Sequence, residues 1–158
     1  GHAGDAGGRC RCSEAALARH RARLSGPMLD RIDLFVRVAR PTTAELRAPP
    51  YTTSRVAREQ VLEARTRQAR RFGDTGATCN GELDLRLLRT HGEIDDQAEE
   101  ALRRAYERGA LSVRGQARAL RVARTVADLE GSRKVRALHV GVALSLHPEG
   151  AMVLRRTG

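Results

Sequence analysis

The clearest regularity in this chain is the spacing of its apolar residues from position 54 onward. They recur every three to four positions, which places them on one face of successive α-helices and predicts a helical second half. The longest and best-patterned helix is capped by Ser112 and ends at Gly131. Ser54 is expected to cap another helix. Further helices are expected to cover about 82–90, 94–109 and 136–146.

The first 40 residues follow a different pattern. Ser13 is a good N-cap for a helix that reaches about Arg23, and Ser25-Gly26-Pro27 predicts a second, single-turn helix through Asp30. Apolar residues then alternate over 32–38 with a period of two, which predicts a β-strand. We expect this strand to be the last of a larger sheet whose other members lie outside the chain.

Three prolines lie between the N-terminal 40 residues and the predicted helical region. Pro41, Pro49 and Pro50 disfavour a long helix between Arg40 and Thr53. The predicted division is therefore 1–40, a linker over 41–53 and a helical domain over 54–158. The expected fold class is mainly α, a helical bundle preceded by a short helix and one strand.

Composition adds a strong positive charge. The 158 residues carry a net charge of +10, and Lys134 is the only lysine among 29 basic residues. Such a surface suits a polyanion, so nucleic acid, a nucleotide or an acidic partner are all admissible. No apolar run approaches the ~20 residues of a membrane span, and no signal peptide is recognisable. We therefore expect a cytoplasmic protein with no membrane partner.

The three cysteines do not predict a disulfide framework, because their number is odd. Cys10 and Cys12 could supply two ligands to a zinc ion, whereas a structural zinc site needs four. Free thiols are the favoured interpretation, and zinc is the alternative.

Arginines of the Ser112 helix are the first candidates for binding an anion. Arg114, Arg118 and Arg121 share one face at spacings of four and three residues, opposite an apolar face. For Arg118 and Arg121 the favoured interpretation is a solvated face. Further along the helix, Arg124 and Asp128 are spaced for a structural ion pair.

Other polar residues give weaker signals. Arg31 lies between Asp30 and Asp33, and its spacing alone predicts an ordinary salt bridge. His139 is interpreted as a packing or capping residue. The sequence contains no hydrolase or protease motif.

Two segments resemble a known family. Residues 24–33 read Leu-Ser-Gly-Pro-Met-Leu-Asp-Arg-Ile-Asp, and residues 120–129 read Leu-Arg-Val-Ala-Arg-Thr-Val-Ala-Asp-Leu. Both are similar to magnesium-chelatase-like AAA+ ATPases of the ComM/YifB type. The resemblance implies that the chain holds the end of the AAA+ nucleotide-binding core followed by the helical lid domain. The residues after Leu146 depart from the family's usual ending.

The resemblance also implies roles for two arginines. Arg31 matches the arginine finger, which reaches the nucleotide of a neighbouring subunit, and Arg114 matches the sensor-2 arginine, which contacts the γ-phosphate in its own subunit. The full-length protein would use ATP and Mg²⁺, assemble as a hexamer and drive DNA branch migration. Because this stretch lacks the Gly-x-x-x-x-Gly-Lys-[Ser/Thr] phosphate loop, we expect it to bind no cofactor and to be inactive alone.

Two alternatives remain open at this point. The chain could be a basic helical module that binds nucleic acid without catalysis, or it could be part of a magnesium chelatase motor subunit.

Overall fold

The computed structural model describes residues 8–23, 26–29, 31–36, 38–73 and 76–147. Helices dominate these residues, which confirms the predicted mainly-α fold class. Asp30, Arg37 and the predicted tail after His147 lie outside the described residues. The α-helices are α1 Glu14–Ala22, α2 Gly26–Leu29, α3 Thr43–Arg47, α4 Ser54–Phe72, α5 Leu85–His91, α6 Asp96–Glu107, α7 Val113–Leu129 and α8 Ala137–Ser145, with a 3-10 helix at Asn80–Glu82.

The predicted strand over 32–38 is wrong for this chain. The described residues of this segment join no sheet, and Val36 and Val38 are largely exposed. Its backbone is instead held at one point, where the N–H of Phe35 donates to the carbonyl of Leu146 at 2.8 Å. A strand needs a neighbouring strand to pair with, and the described residues offer none.

The predicted linker contains one short helix that the prolines did not reveal. The side chain of Thr42 accepts a hydrogen bond from the backbone of Glu45, and the Glu45 carboxylate accepts from the backbone of Thr42. This reciprocal capping starts α3, and its five residues fit between Pro41 and Pro49. The prolines limit the length of the helix without preventing it.

Helix α7 is the centre of the C-terminal domain. It packs against α4, α5, α6 and α8, and alanines on its surface allow close approach of these neighbours. Ser112 caps α7 as predicted, because its Oγ accepts from the N–H of Gly115 at 3.0 Å. Helix α4 is capped by Thr53 rather than by Ser54. Completely buried apolar side chains of this domain are Leu83, Leu88, Ala98, Ala105, Leu120, Ala123, Ala127, Val135 and Val140.

A short parallel bridge ties the two loops beside this core together. Ile94 pairs with Val135, and the N–H of Asp95 donates to the carbonyl of Val135 at 3.0 Å. The bridge fixes the start of α6 against the start of α8. None of the helices in the described part of the chain has both the length and the apolar character needed to cross a bilayer.

Candidate functional site

Arg118 joins the helical domain to the N-terminal segment. Its side chain is buried, and its Nη1 donates to the carbonyls of Leu29 and Ile32, each at 3.0 Å. These two carbonyls flank Arg31 in the chain. The prediction that Arg118 lies on a solvated face is wrong, because the N-terminal segment covers this part of α7.

The end of α8 closes the same junction. Nη2 of Arg118 lies 2.9 Å from Nε2 of His147, which is also buried. The ring of His147 packs on the first turns of α7, where a Cβ on Gly115 would lie 3.4 Å from Nε2. Sequence reasoning missed His147, because it follows the last helix by two residues and has no periodic relation to Arg118.

Arg31 lies in a turn at the end of α2 and is exposed. Its N–H donates to the carbonyl of Met28 at 3.0 Å, and the N–H of Ile32 donates to the carbonyl of Leu29 at 3.2 Å. We call Met28, Leu29, Arg31 and Ile32 the Arg31 turn. Its backbone is therefore fixed by its own hydrogen bonds and by Arg118, while the Arg31 side chain faces solvent.

Arg114 lies in the first turn of α7 and is also exposed. It precedes Arg118 by four residues, which is about one helical turn. The structure thus places Arg114 and the anchor of the Arg31 turn on adjacent turns of one helix. Among the four arginines of α7, all of which are described, Arg114 is the exposed one.

Arg121 does not lie on a solvated face either, which corrects the second part of that prediction. Its side chain is half-buried, and its Nε donates to the carbonyl of Leu83 at 2.7 Å. Arg121 therefore anchors the segment between the 3-10 helix and α5 against α7. The predicted continuous basic face of Arg114, Arg118 and Arg121 reduces to a single exposed charge at Arg114.

The ion pair between Arg124 and Asp128 is confirmed as structural. Both side chains are completely buried, and Arg124 also donates to the carbonyls of Gly92, Ser132 and Arg133. Burial lowers the pKa of Arg124, and the nearby Asp128 carboxylate opposes this shift. This pair holds the loops beside the core together and offers no charge to a ligand.

Metal ligands do not cluster in the described ranges, where no group of three or more His, Cys, Asp or Glu residues could hold an ion. Cys10 is half-buried, Cys12 is exposed, and both are free. His139 is buried at the start of α8, where it accepts a hydrogen bond from the backbone of Arg136. This contact confirms the capping role predicted for His139.

Comparison with known proteins gives matches along most of the chain. The family model of the magnesium chelatase subunit ChlI matches residues 1–46, and the model of the ChlI C-terminal domain matches residues 51–147. The uncharacterized protein Rv2897c of Mycobacterium tuberculosis is 37% identical over 142 residues, which are 90% of this chain and 28% of that protein.

Two further relatives cover a similar stretch. The competence protein ComM of Haemophilus influenzae is 34% identical over 136 residues, 85% of this chain and 26% of that protein. The uncharacterized protein YifB of Escherichia coli is 31% identical over 137 residues, with the same two coverages. The chain therefore spans about a quarter of the length of these curated relatives.

Proposed function

The chain belongs to the magnesium-chelatase-like proteins of the ComM and YifB type, and from this membership we propose that it is the C-terminal part of an ATP-driven AAA+ motor. In the full-length protein, Arg31 acts as the arginine finger toward the neighbouring subunit. Arg114 acts as the sensor-2 residue toward the nucleotide of its own subunit. The motor is a cytoplasmic hexamer that remodels DNA by branch migration.

The observation that supports this proposal best is the combination of a fixed backbone and an exposed side chain at Arg31. A finger must carry a permanent charge on a base that does not move, and arginine stays protonated in proteins. Within the described part of the chain, the Arg31 guanidinium makes no hydrogen bond or ion pair that would compete with a phosphate. Such a finger contributes ~10³–10⁵ in rate in well-studied phosphoryl transfers.

Arg114 suits a second contact with the triphosphate. It is exposed in the first turn of a 17-residue helix, where the helix dipole adds a partial positive charge. Both arginines fit phosphate oxygens and neither is a metal ligand. Mg²⁺, when bound with ATP, neutralises charge on the transferring phosphoryl group, and we place its ligands in the part of the protein that this chain does not span.

The net charge of +10 supports DNA as the substrate of the motor, because duplex DNA is a polyanion. A second candidate is the motor subunit of a magnesium chelatase, since both matching family models carry that name. Turnover that is stimulated by branched DNA supports the first candidate. Turnover that requires a porphyrin and a metal-inserting partner supports the second.

The roles of the two arginines are tested in the full-length protein. We expect Arg31→Ala to lower ATP turnover by ~10³-fold or more while binding of a fluorescent ATP analogue stays near wild type. Arg114→Ala should lower ATP turnover and also weaken binding of the analogue. Arg86→Ala removes another exposed arginine, on α5, and should change neither turnover nor analogue binding. Near-wild-type turnover in both the Arg31 and Arg114 variants would refute the proposal.

DNA binding by the chain alone separates the motor from a stand-alone module. A module that binds nucleic acid by itself should show tight binding whose affinity falls steeply with salt. Tight binding with a steep salt slope, together with turnover that is insensitive to Arg31→Ala, would favour the module.

A further inference from the structure

We propose that Arg118 is a positioning residue that couples the Arg31 turn to helix α7, so that Arg114 and Arg31 move together. This inference rests on the proposed function, in which Arg114 reads the nucleotide of its own subunit and Arg31 serves the nucleotide of a neighbour. Arg118 then links the nucleotide state of one subunit to the finger that it presents to the next.

The hydrogen bonds of Arg118 determine where the Arg31 turn lies. One nitrogen, Nη1, holds the carbonyl two residues before Arg31 and the carbonyl directly after it, at 3.0 Å each. N–H···O hydrogen bonds are normally 2.7–3.2 Å long, so a shift of the turn by ~1 Å would stretch both bonds beyond this range. The backbone on either side of Arg31 is therefore fixed relative to α7.

Burial makes this arrangement strongly preferred. Arg118 is only 3% exposed, so its charge cannot be transferred to water without opening the junction. Removing the acceptors of a buried charge is strongly unfavourable. A second contact lies beside the first, because the N–H of Phe35 donates to the carbonyl of Leu146 next to His147.

The spacing of Arg114 and Arg118 along α7 explains why the two sites move together. Arg114 and Arg118 are four residues apart and lie on the same side of the helix. A rotation of α7 that brings Arg114 toward a phosphate therefore also moves Arg118, and the Arg31 turn follows. Domain rotations about such junctions are a common basis of switching.

The first experiment is independent of ATP. Hydrogen exchange of the amides of Ile32 and Phe35 is compared in the full-length protein and its Arg118→Met variant. We expect both amides to exchange about tenfold faster in the variant, because their local opening no longer breaks the Arg118 bonds. Amides of Ala123 and Val140, which lie in the core of the domain, should keep their protection and report that the domain is folded.

Two further variants make the comparison specific. Arg121→Met removes an arginine from the next turn of α7 whose acceptor is the Leu83 carbonyl, and it should leave the exchange of Ile32 and Phe35 unchanged. Arg118→Lys keeps the charge with fewer donors and should restore part of the protection. If Arg118→Met loses protection at Ala123 and Val140 as well, Arg118→Lys is compared with Arg121→Lys instead.

The second experiment tests the coupling by mixing subunits. We expect Arg118→Met to lower kcat by ~10²-fold, a loss that misplacement of a catalytic group by ~1 Å can cause, with little change in KM. Mixed hexamers of Arg118→Met and Arg114→Ala subunits should regain activity, since the intact finger of the latter can serve the intact nucleotide site of the former. Mixtures of Arg118→Met with Arg31→Ala should not recover, because neither subunit presents a working finger.

The outcomes separate this inference from the proposed function. Unchanged exchange at Ile32 and Phe35 in the Arg118 variants would overturn the coupling, whatever the ATPase results. Recovery with Arg31→Ala rather than with Arg114→Ala would overturn it too, because the defect would then lie in the nucleotide site of the same subunit. Faster exchange combined with an Arg31→Ala variant of normal turnover would leave Arg118 as a structural anchor and remove the finger role.

Discussion

Arg124 and Asp128 lie one turn apart on α7, and their ion pair is completely buried, with Nη2 of Arg124 3.0 Å from Oδ1 of Asp128. Arg71 from α4 donates two hydrogen bonds to the same carboxylate, and Asn80 donates a third. Because Arg124 also binds three backbone carbonyls, one buried network connects α4, α7 and the loops beside α5 and α8.

Substitution of Arg124 should therefore destabilise the domain severely. We expect Arg124→Met to lower the free energy of unfolding by ~3–5 kcal/mol, because it leaves a buried carboxylate with less compensation and three carbonyls without their donor. Urea unfolding followed by circular dichroism measures the change, and it suits a chain without tryptophan.

Arg103→Met is the matched control for this substitution. Arg103 pairs with Glu100 and Glu107 on the surface of α6, where such pairs contribute ~0–1 kcal/mol. Similar losses of stability in the two variants would show that the buried network contributes no more to the free energy of unfolding than the surface pairs of Arg103.

The limits of sequence reasoning are clearest on α7. The apolar spacing and Ser112 predicted the helix and its start, because amphipathic periodicity and capping are local properties. The same periodicity placed Arg114, Arg118 and Arg121 on one face but could not show what covers that face. The acceptors of Arg118 lie 86 and 89 residues away in the chain, and no local signal points to them.

The predicted strand failed for a related reason. Alternating apolar residues over 32–38 are typical of a strand, yet a strand forms only against a neighbour. The exposure of Arg31 and Arg114 could not be derived from spacing either, because it depends on which distant segments of the chain pack beside them. Their candidate roles came from the resemblance of residues 24–33 and 120–129 to a family.

Stability should depend on pH through Glu100 on α6. Hydrogen bonds from Arg103 and Arg104 lower the pKa of this carboxyl from 4.5 to about 2 in the folded protein. The folded state therefore binds fewer protons than the unfolded state in this range. The contribution of these pairs is fully present above pH 4.5 and is lost as the pH falls toward about 2.

We expect the urea midpoint to fall as the pH decreases from 4.5 toward 2, and to fall less steeply in Glu100→Gln. Removal of both donors, in Arg103→Gln/Arg104→Gln, should return the pKa of Glu100 toward 4.5 in an NMR titration and flatten the same part of the curve. A Glu100 pKa that stays near 2 without these arginines would contradict the assigned cause.

The ring of His139 provides two contacts at the start of α8, and two substitutions can separate them. Nδ1 accepts a hydrogen bond from the N–H of Arg136 at 2.8 Å, and Nε2 lies 3.0 Å from Oε2 of Glu130. Since Nδ1 is the acceptor, the proton is on Nε2, which donates to Glu130. Nitrogen-15 chemical shifts of the ring should show this tautomer.

The acceptor at Nδ1 should contribute more to stability than the donor at Nε2. The side-chain oxygen of asparagine can take the place of Nδ1, whereas the amide nitrogen of glutamine can take the place of Nε2. His139→Ala removes both contacts from a completely buried site and should cost ~2–4 kcal/mol. We expect His139→Asn to recover more of this loss than His139→Gln. Asparagine keeps the acceptor for the backbone N–H at the start of α8, whereas Glu130 is 45% exposed and can be solvated by water when its donor is removed.

The opposite result would contradict this order. If His139→Asn unfolds at the same urea concentration as His139→Ala while His139→Gln is more stable, the contact with Glu130 stabilises this end of α8 and the cap does not.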